Sequence, residues 1–461
     1  MKRTITIVIV VCLFLPLFFA GRVGATDVIG RVTSDTTWTK AQSPITLTGP
    51  VNVNTDVTLT IEPGVTVNLN NYYIQVEGTL HSVGSSSDRI RFDNGRIDIK
   101  DNSNGWNQQT GKGNVIENCF MNNVKVYAGN MLSSTHPAIK FNQNTLSGEL
   151  QVSGASLVTG NTVTGTIYAS DSTIVWKNTV SGSIGGGGYS SNQQNHPVFS
   201  CNTVSGSEDS GIVCSGYAQV EDNTISDCKY GISISIGYDM MGYIFAPHVT
   251  AERNKITNCD DGLHLEIYTS TIMTSGYESR TSNTISQCKT GVHASGELYG
   301  LVFKNNNIED CADYRFYLEQ GGDVNATLNW WGTTDTTAIK QSIFDSSRDF
   351  NLGTVTIEPI LTAENTEAFP NQNAPMPTQQ TSATPTPNPT AQSTTQATPT
   401  VQASVTPTAT ATPTPTQQAA GEPIFGSFNL EWAIFGALLV VIVLLSILIV
   451  LVLVRRPKSA K

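Results

Sequence analysis

The chain has 461 residues, 26 Lys and Arg against 37 Asp and Glu for a formal net charge of −11, and 39% apolar residues. An acidic balance of this size disfavours nucleic acid or an anionic membrane surface as a partner. It suits solubility outside a cell, or cation binding, and composition alone does not separate these.

Residues 1–25 read as a secretory signal peptide. Lys2 and Arg3 supply a positive start, Ile5 to Ala20 an apolar run, and Val23-Gly24-Ala25 a small-residue exit to cleavage. Cys12 leaves with it. Seven of the eight cysteines then remain, an odd number that is no closed disulfide framework.

The next segment alternates by two. Val57, Leu59 and Ile61, then Val65, Val67 and Leu69, predict short strands joined at Pro63-Gly64. Ile74, Val76 and Leu80 continue the pattern, as do Ile90, Phe92, Ile97 and Ile99. A helical stripe is confined to about Asp335–Phe344, where Ala338, Ile339, Ile343 and Phe344 would share a face.

From Asn144 a six-residue phrase recurs: Asn, a small or polar residue, an aliphatic, Ser or Thr, any residue, then often Cys. It is clearest as Asn223-Thr-Ile-Ser-Asp-Cys228, Asn254-Lys-Ile-Thr-Asn-Cys259, Asn283-Thr-Ile-Ser-Gln-Cys288 and Asn306-Asn-Ile-Glu-Asp-Cys311, and fainter from Asn144, Asn161, Asn178 and Asn202. Successive Asn positions lie 17, 17, 24, 21, 31, 29 and 23 residues apart. An irregular period with β-type alternation inside each copy predicts a solenoid of stacked rungs. Asn is expected at a left-handed turn, its carboxamides hydrogen-bonding along the coil, and the aliphatic two residues on points inward. The Cys of the last four copies reads as a further inward ladder of reduced thiols. Side chains stacked in register point the same way and give poor disulfide geometry.

These repeats, with Gly231-Ile232, Gly262-Leu263 and Gly291-Val292 after each Cys, resemble the right-handed parallel β-helix superfamily. It includes pectate lyases, polygalacturonases and the repeats of periplasmic copper-site assembly proteins, grouped as carbohydrate-binding and sugar-hydrolase modules. Leu59-Thr-Ile-Glu-Pro-Gly-Val-Thr-Val67 and Asn329-Trp-Trp-Gly332 resemble entry and exit motifs of its cell-surface members. The resemblance spans about residues 28–361 and implies an all-β, right-handed parallel β-helix for the domain at 26–363. It implies no particular activity, because such folds host lyases, hydrolases, adhesins and proteins without chemistry.

Asp260-Asp261, followed by Gly262, His264 and Glu266, is the tightest acidic cluster. Polygalacturonase-like catalysis uses paired carboxyl groups, one protonating the glycosidic oxygen and one activating water. The resemblance, however, requires an Asn-Thr-Asp motif just before the pair, then Gly-His-Gly and Arg-x-Lys. Here Asn54-Thr55-Asp56 lies some 200 residues upstream and the other two are missing. No catalytic residue is therefore assigned, and Asp260 and Asp261 read first as turn residues. Calcium-dependent β-elimination also lacks its Arg base beside carboxylates, so no cofactor is assigned and Ca²⁺ rests only on the acidic balance.

His264 and His293 each fall five residues after a Cys and should stack, both rings outward. With Glu266 they are candidate ligands for a transition metal, against the plainer reading of two solvent-facing histidines without a third ligand. Trp330 and Trp331 suit a cap on the open end of the core better than a sugar platform. Asn325-Ala326-Thr327 is the single Asn-x-Ser/Thr sequon with a permissible middle residue.

Residues 364–423 are rich in Thr, Pro, Gln, Ala and Ser and are expected to form an extended, disordered stalk. A membrane-spanning helix is expected at 430–454. Its apolar run, Ala433–Val454, would reach about 33 Å, enough for a hydrocarbon core of about 30 Å. Arg455, Arg456, Lys458 and Lys461 then place the tail 455–461 in the cytoplasm. The sequence thus predicts a single-pass cell-membrane protein with its N-terminal domain outside. Its partners would be an extracellular polysaccharide or an envelope protein, contacted for recognition or structure. The alternative is a surface polysaccharide lyase or glycoside hydrolase.

Overall fold

Alternation along each strand builds the core. In Ile45–Val53 the buried residues are Ile45, Leu47, Gly49, Val51 and Val53, with the residues between them turned away, and Thr58–Ile61 and Tyr73–Val76 follow the same step of two. A strand with one apolar side must cover it. In the computed structural model, which describes residues 25–129, 136–187, 196–236, 249–267, 279–296, 298 and 301–378, it does so by coiling.

Each strand pairs in parallel with its equivalent one turn later, at the usual spacing of about 4.8 Å. Among the described residues this gives a larger sheet of 20 strands and a smaller one of 12. The expected all-β parallel β-helix is therefore the fold. One rung runs Lys255–Thr257 and Asp261–Ile267 on the larger sheet, then Ser279–Thr281 on the smaller.

The Asn ladder forms as the repeat predicts. Asn144, Asn161, Asn178, Asn202, Asn223, Asn254, Asn283, Asn306 and Asn329 are all buried. Each Oδ1 from Asn161 onward accepts the backbone N–H of the ladder Asn one rung earlier, at 2.8–3.1 Å. The Nδ2 of Asn144, Asn161, Asn178, Asn202, Asn223, Asn254, Asn283 and Asn329 in turn donates to a carbonyl of an earlier rung, as Asn254 does to Val220 at 2.9 Å. The turn conformation, however, belongs to the neighbour. Arg253, Ser282, Asn305 and Leu328, each one residue before a ladder Asn, have φ of 52–60°. A second left-handed residue precedes each Cys: Asp227, Asn258, Gln287 and Asp310. Two such corners bracket each three-residue strand, and the ladder's hydrogen bonds offset their cost of about 1–2 kcal/mol each.

All seven described cysteines are free thiols. Cys228, Cys259, Cys288 and Cys311 each direct Sγ to the carbonyl two residues back, at 3.1–3.5 Å. The glycine three residues after Cys228, Cys259 and Cys288 leaves no choice. A Cβ on Gly262 would sit 2.3 Å from Ile285 Cγ2 and 2.6 Å from the Gly291 carbonyl oxygen.

At the exit end Trp331 is fully buried in the core, which suits the cap and not a sugar platform. The helix is shorter than the stripe suggested. Asp335 caps Thr336–Gln341, and Ile343–Phe344 becomes a strand that joins the larger sheet beside Phe316 and Tyr317.

The expected start of the stalk needs correction. Residues 364–374 turn back along the coil. Asn365 exchanges hydrogen bonds with Asn307 at 2.8 and 3.0 Å, Ala368 is fully buried with its carbonyl on Thr284 Oγ1, and Asn371 N–H donates to Asp222 at 2.8 Å. Composition misled here because asparagines with matched buried partners do not need apolar area to be fixed. The expected signal peptide, the stalk beyond residue 378, the span at 430–454 and the basic tail lie outside the described residues. No helix among the described residues is long and apolar enough to cross a membrane.

Candidate functional site

Strand Asp261–Ile267 holds Leu263, Leu265 and Ile267 inward and turns His264 and Glu266 outward. The next rung, Thr290–Gly296, places His293 directly opposite His264. The rings are 4.8 Å apart between centroids with planes at 76°, as stacked rungs require. Tyr230 stacks on His264 at 4.1 Å and 21°, and Tyr317 packs edge-on against His293 at 5.0 Å. The row thus runs His264, His293, Tyr317, Phe344 in strict register.

The third member of the cluster is Asp261. Its Oδ2 lies 2.9 Å from Nδ1 of His264 and 2.9 Å from Nδ1 of His293. The outer nitrogens face two further carboxylates, His264 Nε2 to Glu266 at 3.3 Å and His293 Nε2 to Glu319 at 3.4 Å. Asp261 and His264 are buried and His293 is half-buried. Burial works against ionisation of Asp261, yet its hydrogen bonds to both imidazoles hold the carboxyl below the usual range. Burial likewise works to lower the His293 pKa, and the hydrogen bond and charge of Asp261, with Glu319 behind, raise it above the ordinary histidine value.

The acidic pair does not act as a pair. Asp260 stands before the strand, half exposed, with Lys289 Nζ at 2.6 Å. Asp261 turns to the histidines instead. Asn54-Thr55-Asp56 lies between strands Ile45–Val53 and Thr58–Ile61 at the other end of the coil, with Asp56 a left-handed turn residue, so the polygalacturonase set is not assembled. Asn325 is exposed, its Oδ1 taken by the Thr327 hydroxyl at 2.8 Å.

Lys229, over the Tyr230 ring at 4.6 Å, and Lys289 stand beside the cluster, while Asp261, Glu266 and Glu319 surround its imidazoles. The immediate field is acidic, which disfavours a polyuronate and favours a cation or a neutral sugar. His293, backed by Asp261, also has the form of a general base with an orienting carboxylate.

The same outward row continues toward the N-terminus. Gln75, Asp98, Tyr127, Gln151 and Tyr168 lie in register on the larger sheet. A cavity of about 410 Å³ opens there, lined by Arg96, Asp98, Lys100, Asp101, Tyr127 and Gln151. Sequence reading missed Asp261 as a shared partner and the aromatic row on both sides of the histidines. The usable signal was register: Tyr317 lies opposite His293, although it belongs to no motif.

No protein-family model matches the chain, and no curated protein matches it. Among solved structures it is similar to crystal structures of two single-residue variants of the periplasmic alginate epimerase AlgG. Identity is 11% in both, 72% of this chain and 82% of that one are covered, and the TM-scores are 0.30 and 0.32.

Proposed function

We propose that the chain is a cell-surface protein whose coil binds an extracellular polysaccharide or an envelope component for recognition or structural contact. The observation that carries this reading is the continuous outward row of the larger sheet. Asp98, Tyr127, Gln151 and Tyr168 lie toward one end, and His264, His293, Tyr317 and Phe344 toward the other. Between them the row passes through Gly185, Val213 and Ser233, so a linear polymer laid along the coil meets hydrogen-bonding groups and aromatic faces in two stretches, one toward each end. Half-buried Tyr side chains offer both at little entropic cost. Secretion by residues 1–25 and anchoring by 430–454 belong to the same reading.

The second reading, a surface lyase or hydrolase, is favoured by the Asp261–His293 pair alone. A glycan array probed with the full chain, read for retention and for product release, separates the two. Retention that falls about 3- to 10-fold in Tyr127→Ala or Tyr317→Ala is expected. Release of new reducing ends or unsaturated sugar, lost in Asp261→Asn, would overturn the binding reading in favour of the enzyme.

A further inference from the structure

We infer that Asp261, His264 and His293 form a binding site for one divalent first-row transition-metal ion, a property that does not depend on the glycan reading. One ligand atom from each residue lies within 4.8 Å of the others, and both Nδ1 atoms already stand 2.9 Å from the same carboxylate oxygen. An ion about 2.0–2.2 Å from each of three donors holds them about 3–3.5 Å apart, so the two Asp261 edges would lengthen slightly, and the imidazole nitrogens, within 4.8 Å of each other, would settle at that spacing. Two imidazole nitrogens and one carboxylate suit Zn²⁺ or its neighbours; Ca²⁺ and Mg²⁺ take oxygen ligands almost exclusively.

A second, separate observation points the same way. When Nδ1 of a histidine binds a metal, Nε2–H usually donates to a carboxylate that fixes the ring and raises its basicity. Here both Nε2 atoms have one, Glu266 for His264 and Glu319 for His293. The rings are further held by Tyr230 and Tyr317 on either side. Two ligands come from facing strands of one sheet, whose register fixes their separation at a rung. Three carboxylates converge on two imidazoles, a donor set whose negative charge a bound cation would offset.

The test is titration of the full chain with Zn²⁺, and with Co²⁺ as a spectroscopic probe, against Ca²⁺ and Mg²⁺ at equal concentration. Expected are one equivalent bound, a Co²⁺ ligand-field absorption with nitrogen ligation, and a Tm raised by Zn²⁺ but not by Ca²⁺. His293→Gln and Asp261→Asn should each weaken binding at least about tenfold, with His293→Gln folding normally because its site is half-exposed. Glu319→Gln, outside the ligand triangle, should weaken it less and restore nothing to the other two. Failure of the folded chain to bind Zn²⁺ and Co²⁺, or equal binding by wild type, His293→Gln and Asp261→Asn, overturns the site. Glycan retention measured on the same preparations is read separately and is unaffected by that failure.

Discussion

Asn254 Oδ1 accepts two hydrogen bonds from Asn223, one from the backbone N–H at 3.1 Å and one from the side-chain Nδ2 at 3.0 Å. One carboxamide therefore satisfies donors of the rung before it, while its own Nδ2 reaches the Val220 carbonyl. Asn254→Leu strips all of these in a fully buried place. Its stability should fall by about 1–3 kcal/mol, because the stranded donors bear the desolvation cost. Chemical denaturation measures it, with the more exposed Lys255→Ala as a near-neutral control. An unchanged midpoint for the leucine variant would contradict the ladder.

Glycines divide into those that lack room and those that lack only a comfortable φ. Gly262→Ala drives a methyl into Ile285 and the Gly291 carbonyl and should cost about 2 kcal/mol or more. Gly111, with φ +67° and open space around its Cβ position, should lose only about 1 kcal/mol on the same change. Thermal melts of the two variants that come out equal would show that the rungs have slack.

Burial pushes the thiol of Cys119 up to about 12, and burial again does so for Cys311. The Cys259 thiol, and burial behind it, push Cys228 upward as well. The folded chain thus keeps protons that the unfolded chain releases above its ordinary thiol pKa of about 8.5. Stability from these groups is fully present below that value and is lost as pH rises toward about 12. Alkylation of Cys119 in the native protein at about pH 8 should be far slower than in denaturant. Equal rates would place this thiol at the surface.

One acid holds the far end of the returning segment. Asp222 binds Arg253 through both oxygens at 3.0 Å and accepts the Asn371 N–H, while Gln372 donates to its carbonyl. That partnership raises the Arg253 pKa above its ordinary value despite partial burial. Asp222→Ala should cost about 1–3 kcal/mol, discounted because Arg253 is a third exposed. It should also open residues 364–374 to protease before the coil itself is cut. Unchanged protection of that segment would mean Asn307 and Thr284 alone hold it.

Protease added to intact cells should remove the domain and leave a tag placed after Lys461 untouched, if residues 430–454 span the membrane with the basic tail inside. A tag cleaved without permeabilisation would reverse that orientation.

How far the chain could be read in advance follows from what repeats. The Asn and the aliphatic two residues on recur at every rung from Asn144 to Asn306, so that part of the coil, its core and its ladder were legible from spacing. Left-handed corners were placed one residue late, because Arg253, Ser282 and Leu328 share no chemistry that marks the backbone they adopt. Asp261 was hidden for a different reason. Strict alternation puts it on the Leu263 side, but the pairing passes over Gly262, from Tyr230–Asp261 to Ile232–Leu263, and the acid emerges beside His264 instead. The returning segment was invisible because its partners, Asn307 and Asp222, are fixed only once the rungs have stacked.

That segment changes where a pull on the chain is felt. Load arriving from residues beyond 374 does not peel the last rung away from the coil like tape from its free end. It enters at the Asp222 corner, where Asn371 and Gln372 are held, and reaches Thr284, then Asn307, only after those bonds have given way. The fold thereby shields its own exit cap, Trp331 included, from tension carried by the chain that follows.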